Sequence, residues 1–176
     1  MDWVAISSIV IGTAATVWAA IYAKRSQPPT PIIDSIESGT LDQTEWAWVS
    51  FRVINPAPIS WVIESAKINR PNAAVITSDS AVQPDPILGG DPDPTRLHRN
   101  TLSKTVRINW PLAPCGKRSN GLIAGTSDEA RVGLWIYSDR REFSRVSISL
   151  TFRSTDAIQK AKTVQLTPKI IEKSLA

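Results

Sequence analysis

One cysteine, Cys115, and one histidine, His98, are all that a chain of 176 residues offers to thiol or imidazole chemistry. A single thiol excludes an intrachain disulfide, and a β-rich chain without one leans towards a reducing compartment. A single imidazole excludes any two-histidine metal site. There is no Asn-x-Ser/Thr sequon. Charge is missing from a whole region: after Asp2 the next charged side chain is Lys24. The formal net charge is +4, so setting aside Asp2 leaves the rest of the chain at +5. That basic excess is mild and scattered, which suits the vicinity of an anionic membrane face and excludes a nucleic-acid footprint.

The residues that remain do not assemble a reaction. His98 stands in "DPTRLHRN" between Arg96 and Arg99, whose charge depresses its basicity, and no Gly-x-Ser-x-Gly elbow exists. Cys115 in "PCGKRS" has Lys117 and Arg118 close by, which favours a thiolate, but neither a base nor a resolving cysteine accompanies it. The same stretch fails as a phosphate loop, because Pro111 occupies the place of the first glycine and Arg118 follows the lysine. The longest irregular stretch, "DSAVQPDPILGGDPDPTR", could offer Asp85, Asp91 and Asp93 to calcium, but it lacks EF-hand spacing and reads as a solvated loop. It is also a candidate contact surface, since long loops on a rigid scaffold often carry recognition. No catalytic residue, cofactor or metal is expected, and the chain is not expected to be an enzyme.

What the sequence does contain is informative at its beginning. Trp3 to Ala23 is an uncharged, proline-free run that as a helix would extend about 32 Å, matching a hydrocarbon core of about 30 Å. Trp3 at one end and Trp18 with Tyr22 at the other suit interfacial anchors, and Lys24 and Arg25 form a basic stop. The rival reading is a cleaved signal peptide on a secreted domain, which would need a basic start where only Met1-Asp2 stands and for which Ile21-Tyr22-Ala23 is a poor cleavage site. The expectation is a single-pass transmembrane helix touching membrane lipid. The basic flank places the C-terminal domain on the cytoplasmic side, or the interior, capsid-facing side of a virion. Ser8, Gly12, Thr16 and Ala20 recur every four residues, a seam along which a second helix could pack.

After this anchor (1–25) comes a proline-rich linker (26–31), "SQPPTP", expected to be extended polyproline II. From residue 32 to 167 the hydrophobic period becomes two. "EWAWVSFRVIN" sets Ala47, Val49, Phe51 and Val53 against Trp46, Trp48, Ser50 and Arg52. "LSKTVRINW", "ARVGLWIYS" and "RVSISLTFR" alternate as cleanly, while "PIIDSIES", "ISWVIESAKI", "AAVITS" and "KTVQLT" are weaker strands. Asn55-Pro56-Ala57-Pro58, Arg70-Pro71-Asn72, Ser119-Asn120-Gly121 and Ser138 to Arg141 supply turns. The fold class is mainly β: an antiparallel β-sandwich, immunoglobulin-like in the broad sense without the Cys…Trp…Cys signature, with a small β-barrel as the alternative. Residues 168–176 form a tail or short helix, since Thr167 could cap one opened by Pro168.

On the face opposite the Val49/Phe51 core, Trp46, Trp48 and Arg52, with Trp135 one strand away, have the composition of an interaction hot spot. Packing within the chain explains them equally well. Together these features predict a membrane-anchored structural or adaptor protein presenting a β-sandwich to a protein partner or to further copies of itself. A subunit of a bacterial envelope complex or a minor virion membrane protein would fit. The alternative is a membrane-tethered enzyme or redox sensor using Cys115 or His98.

Overall fold

A computed structural model describes residues 3–41, 44–78, 102–117, 125–138, 146–156 and 160–167, with side chains described outside 3–12 and 38–45. One helix, α1 (Trp3–Arg25), precedes eight strands: β1 (Thr30–Leu41), β2 (Thr44–Ile54), β3 (Trp61–Arg70), β4 (Val75–Ser78), β5 (Thr105–Leu112), β6 (Glu129–Ser138), β7 (Ser147–Ser154) and β8 (Lys162–Leu166). The strands divide into two antiparallel four-stranded sheets, β1-β2-β6-β4 and β5-β3-β7-β8. The chain is therefore mainly β and sandwich-like, and a closed small barrel is not what forms.

The alternation read from the sequence is the alternation that packs. In β2, Ala47, Val49, Phe51 and Val53 are fully buried, and in β7 Ile148, Leu150 and Phe152 face them across the sandwich. Trp61, Ile63, Leu134 and Ile136 complete the centre of this core. β3 reads weakly in the sequence for a visible reason. Its buried residues run Trp61, Ile63, then Ala66, Ile68, because the register shifts between Ile63 and Ser65 and Glu64 becomes an extra outward residue. A bulge of this kind breaks the period of two while leaving the strand paired on both sides. On its other flank β5 answers with Asn109 at φ 52°, a left-handed conformation that asparagine tolerates better than most residues.

The two long sides of the sandwich differ. Along one, the chain entering β5 bridges the sheets: the Ile76 amide donates to the Ser103 carbonyl at 2.8 Å and the Ile68 amide to the Lys104 carbonyl at 2.9 Å. Along the other, β1 and β8 are outer strands of their sheets. One end is organised by Asn55, which is fully buried. Its Nδ2 donates to the carbonyls of Ile59 (2.8 Å) and Ala113 (2.6 Å), and its Oδ1 accepts from the Ala57 amide (3.0 Å). A single side chain thus ties the β2–β3 turn to the strand end of β5.

Two sequence expectations change here. The strand begins at Thr30, so the last two residues of the expected linker belong to β1, and Pro29 before it is already buried. The transmembrane span is not found as such. The helix backbone covers 23 residues, but its side chains are described only over 13–25, about 20 Å at about 1.5 Å per residue. That portion contains Thr13, Thr16, Lys24 and Arg25. Among the described residues, no helix is long and apolar enough to cross a membrane. The expected terminal helix at 168–176 lies outside the described residues.

Candidate functional site: the outer face of the first sheet

Cross-strand register decides what the outer face of β1-β2-β6-β4 looks like, because residues opposite one another share a face. Trp46 pairs with Tyr137 and Trp48 with Trp135; β4 adds Val75 opposite Tyr137 and Thr77 opposite Trp135. The outcome is a second apolar cluster, separate from the core, in which Trp135 and Tyr137 are buried and Trp46, Trp48, Val75 and Leu102 are partly buried around them. The ring centroid of Trp135 lies 5.4 Å from that of Trp46 at an interplanar angle of 50°, and 6.3 Å from that of Trp48 at 43°. These are tilted contacts within the range that the aromatic quadrupole favours. The Trp135 indole N–H is buried and has no hydrogen-bond partner among the described residues.

One row further along the strands the surface drops. Ser50 stands opposite Gly133 in β6 and opposite Ser35 in β1, so three strands present only hydroxyls and bare backbone there. Beyond this floor the next row holds Arg52 opposite Arg131. From Trp48 to Arg52 is four residues, about 13 Å of strand at about 3.3 Å each. The face is therefore a shallow trough with an aromatic wall on one side and a guanidinium wall on the other.

The guanidinium wall is held in place by a second bulge. The β1–β2 register shifts between Ile33 and Ser35, leaving Asp34 unpaired in the ladder, and its Oδ1 accepts from Arg52 Nε at 2.7 Å. The Glu129 carboxylate lies 3.9 Å from Arg52 Nη1. The hydrogen bond and charge of Asp34, helped by Glu129, hold the guanidinium above its ordinary pKa. Arg131 is exposed and makes no ion pair among the described residues.

The other residues singled out from the sequence are placed as follows. In α1, Trp18 is 72% and Tyr22 57% exposed, and Thr16, Ala20, Lys24 and Arg25 are exposed as well. The side chains of Trp3, Ser8 and Gly12 lie outside those described. Cys115 is exposed on the turn after β5, its amide bonded to the Ala57 carbonyl at 2.8 Å. The adjoining Gly116, at φ 91°, gives its N–H to Asp128 Oδ2 at 2.8 Å. The backbone conformation there favours glycine, and the Asp128 carboxylate beside the thiol turn is bonded to this backbone amide. His98, Arg118 and the acidic stretch with Asp85, Asp91 and Asp93 lie outside the described residues. Among the described residues there is no group of three or more side chains suited to a metal.

The sequence sets Trp46, Trp48 and Arg52 on one strand face with Trp135 one strand away, and the pairing of β2 with β6 brings the four onto the same face of the sheet. Sequence reasoning missed the small floor of Ser35, Ser50 and Gly133, because that floor exists only once the register of three strands is known. It also left open whether the tryptophans pack within the chain; Trp135 does, while Trp46 and Trp48 keep part of their surface.

No family model matches the chain, and no curated protein matches it. Among solved structures, the ApaA protein from Bordetella pertussis is similar at 10% identity and a TM-score of 0.36, over 83% of this chain and 98% of that one. A likeness at that level carries no argument.

Proposed function

We propose that this chain is a membrane-anchored structural or adaptor protein: α1 holds it at a lipid bilayer, and the sandwich offers its aromatic outer face to a protein partner. The observation that carries the reading is the exposure of α1. Val17, Trp18, Ile21 and Tyr22 are 47–72% exposed, on a segment that lacks the polar faces of a helix adapted to water. Large apolar side chains left open in this way call for an apolar surrounding. The uncharged sequence continues back to Trp3 and ends on Lys24 and Arg25, a flank that favours a cytoplasmic or virion-interior sandwich. The half-buried Trp46 and Trp48 beside Arg52 support the partner-binding half of the reading, since indole and guanidinium groups dominate interface energies.

Sheets ordered β1-β2-β6-β4 and β3-β7-β8, with β5 added beside β3, follow the succession of an immunoglobulin-like sandwich. That supports a scaffold whose work is contact.

The test is alkaline carbonate extraction of membranes from cells making the full chain. Retention in the pellet is expected, and release into the supernatant with peripheral proteins overturns the anchor. For the partner, co-purification in mild detergent should lose its stoichiometric companion when Trp48→Ala is introduced. A companion retained undiminished by Trp46→Ala/Trp48→Ala overturns the assignment of this face.

A further inference from the structure

The strand register brings several separate segments to the end of the sandwich from which α1 departs. Thr30, the first residue of β1, pairs with Ile54, which pairs with Glu129. The turn carrying Cys115 to Lys117 joins that end through Ala57 and Asp128, and Trp61 pairs with Ser154 there, so the start of β8 arrives at the same level. This end exposes Lys117, Arg131, Lys160 and Lys162, next to Lys24 and Arg25 on the last turn of α1. None of the six has an ion pair among the described residues. Acidic residues here are partly engaged: Asp34 holds Arg52, Glu129 lies near the same guanidinium, and Asp128 accepts the Gly116 amide. Asp156 joins them at the foot of β7.

The connection between helix and sandwich is short. The Ser26 amide and hydroxyl bond to the carbonyls of Tyr22 (2.9 Å) and Ala23 (3.1 Å), continuing the helix end, and Pro29 is buried where β1 begins. Residues 26–29, fully extended, reach about 12 Å, close to the Debye length of about 8–10 Å at ordinary ionic strength.

We propose that this end of the sandwich is a contact surface for anionic lipid headgroups, with Lys117, Arg131, Lys160 and Lys162 facing the leaflet that α1 enters. The proposal rests on the anchoring role of α1. Charge complementarity selects the occupant. Of the side chains named here, seven are basic (Lys24, Arg25, Arg52, Lys117, Arg131, Lys160 and Lys162) and four acidic (Asp34, Asp128, Glu129 and Asp156). An end with that excess, tethered within about a Debye length of an acidic leaflet, is drawn to it, and each basic side chain near such a surface strengthens attachment severalfold. The sandwich would then lie on the membrane by this end and direct its aromatic trough sideways, at a fixed height.

Cys115 supplies the probe, being exposed at this end and the sole thiol of the chain. Full-length protein labelled there with a fluorescent donor is mixed with vesicles bearing a headgroup acceptor. One set is phosphatidylcholine, the other phosphatidylcholine with phosphatidylserine. The expected result is flotation with both sets and higher energy transfer with phosphatidylserine. The increase should vanish at high salt and in the K117E/R131E/K160E/K162E chain, and survive in K67E/K104E, which reverses charge at the opposite end. Flotation with both sets and equal transfer overturns the headgroup surface and leaves the anchor standing. Flotation with phosphatidylserine alone overturns the anchor and supports the surface, and flotation with neither overturns both. Should the fourfold variant fail to fold, the salt dependence of the native chain decides.

Discussion

The two sheets of the sandwich are alike inside and unlike outside. Inward, both present fully buried aliphatic and aromatic side chains, Phe51 from one and Phe152 from the other. Outward, β3, β7 and β8 present Lys67, Ser149, Thr151, Arg153 and Gln165, with Asn69 Nδ2 donating to Ser149 Oγ at 2.6 Å. That sheet is finished in water. The outer face of β1-β2-β6-β4 instead carries a second apolar cluster around Trp135 and a trough ending at Arg52 and Arg131. A fold of this kind needs only one buried face per sheet, so the second cluster goes beyond what the shared core requires, and the partner-binding role proposed for this face rests on that difference.

If that division is right, substitutions should separate stability from binding. The largest stability losses come from the shared core: Phe51→Ala and Phe152→Ala should each cost about 3–5 kcal/mol in denaturant unfolding, with no preference between sheets. Asn55→Ala comes next. It strands buried carbonyls and an amide that have no other partner among the described residues, at a cost on the order of 3 kcal/mol, and a variant as stable as the native chain would sink the role given to Asn55. Trp48→Ala, from the outer cluster, should cost about 1–2 kcal/mol because the side chain is only half-buried. Its effect on partner affinity should be larger, above about 2 kcal/mol or thirtyfold by titration. Trp135→Phe should change unfolding little, since the indole N–H it removes has no partner among the described residues. Arg52→Gln is the smallest. The guanidinium–Asp34 bond is solvent-screened, so melting should barely move while affinity for a partner falls.

Legibility in the sequence followed the regularity of each element. β2, β6 and β7 were readable because their alternation is unbroken and their neighbours bury one face. β3 was faint because Glu64 interrupts the period, and the start of β1 was misplaced because Pro31, normally a linker residue, is tolerated on an outer strand. The face assignment of Trp46, Trp48, Arg52 and Trp135 followed from the same period of two. What packs against them did not, since the tilt between Trp46 and Trp135 and the row of Ser35, Ser50 and Gly133 depend on inter-strand register, which local pattern does not encode. The Asn55 hub was invisible for a related reason: its partners are two backbone carbonyls and a backbone amide, groups that nearly every residue carries.

Among the described strands, β6 is the one that contributes buried side chains to both apolar clusters. From Leu134 to Ser138 every side chain is buried, the even positions against the core and Trp135 and Tyr137 against the outer cluster. It is flanked by β2 on one side and β4 on the other. Its amides therefore have no local route to solvent, and in deuterated water they should exchange only when the whole sandwich opens, whereas those of β1 exchange through fraying at the rim. The strand is the gauge of the molecule: the protection of its protons reads the free energy of opening the whole sandwich.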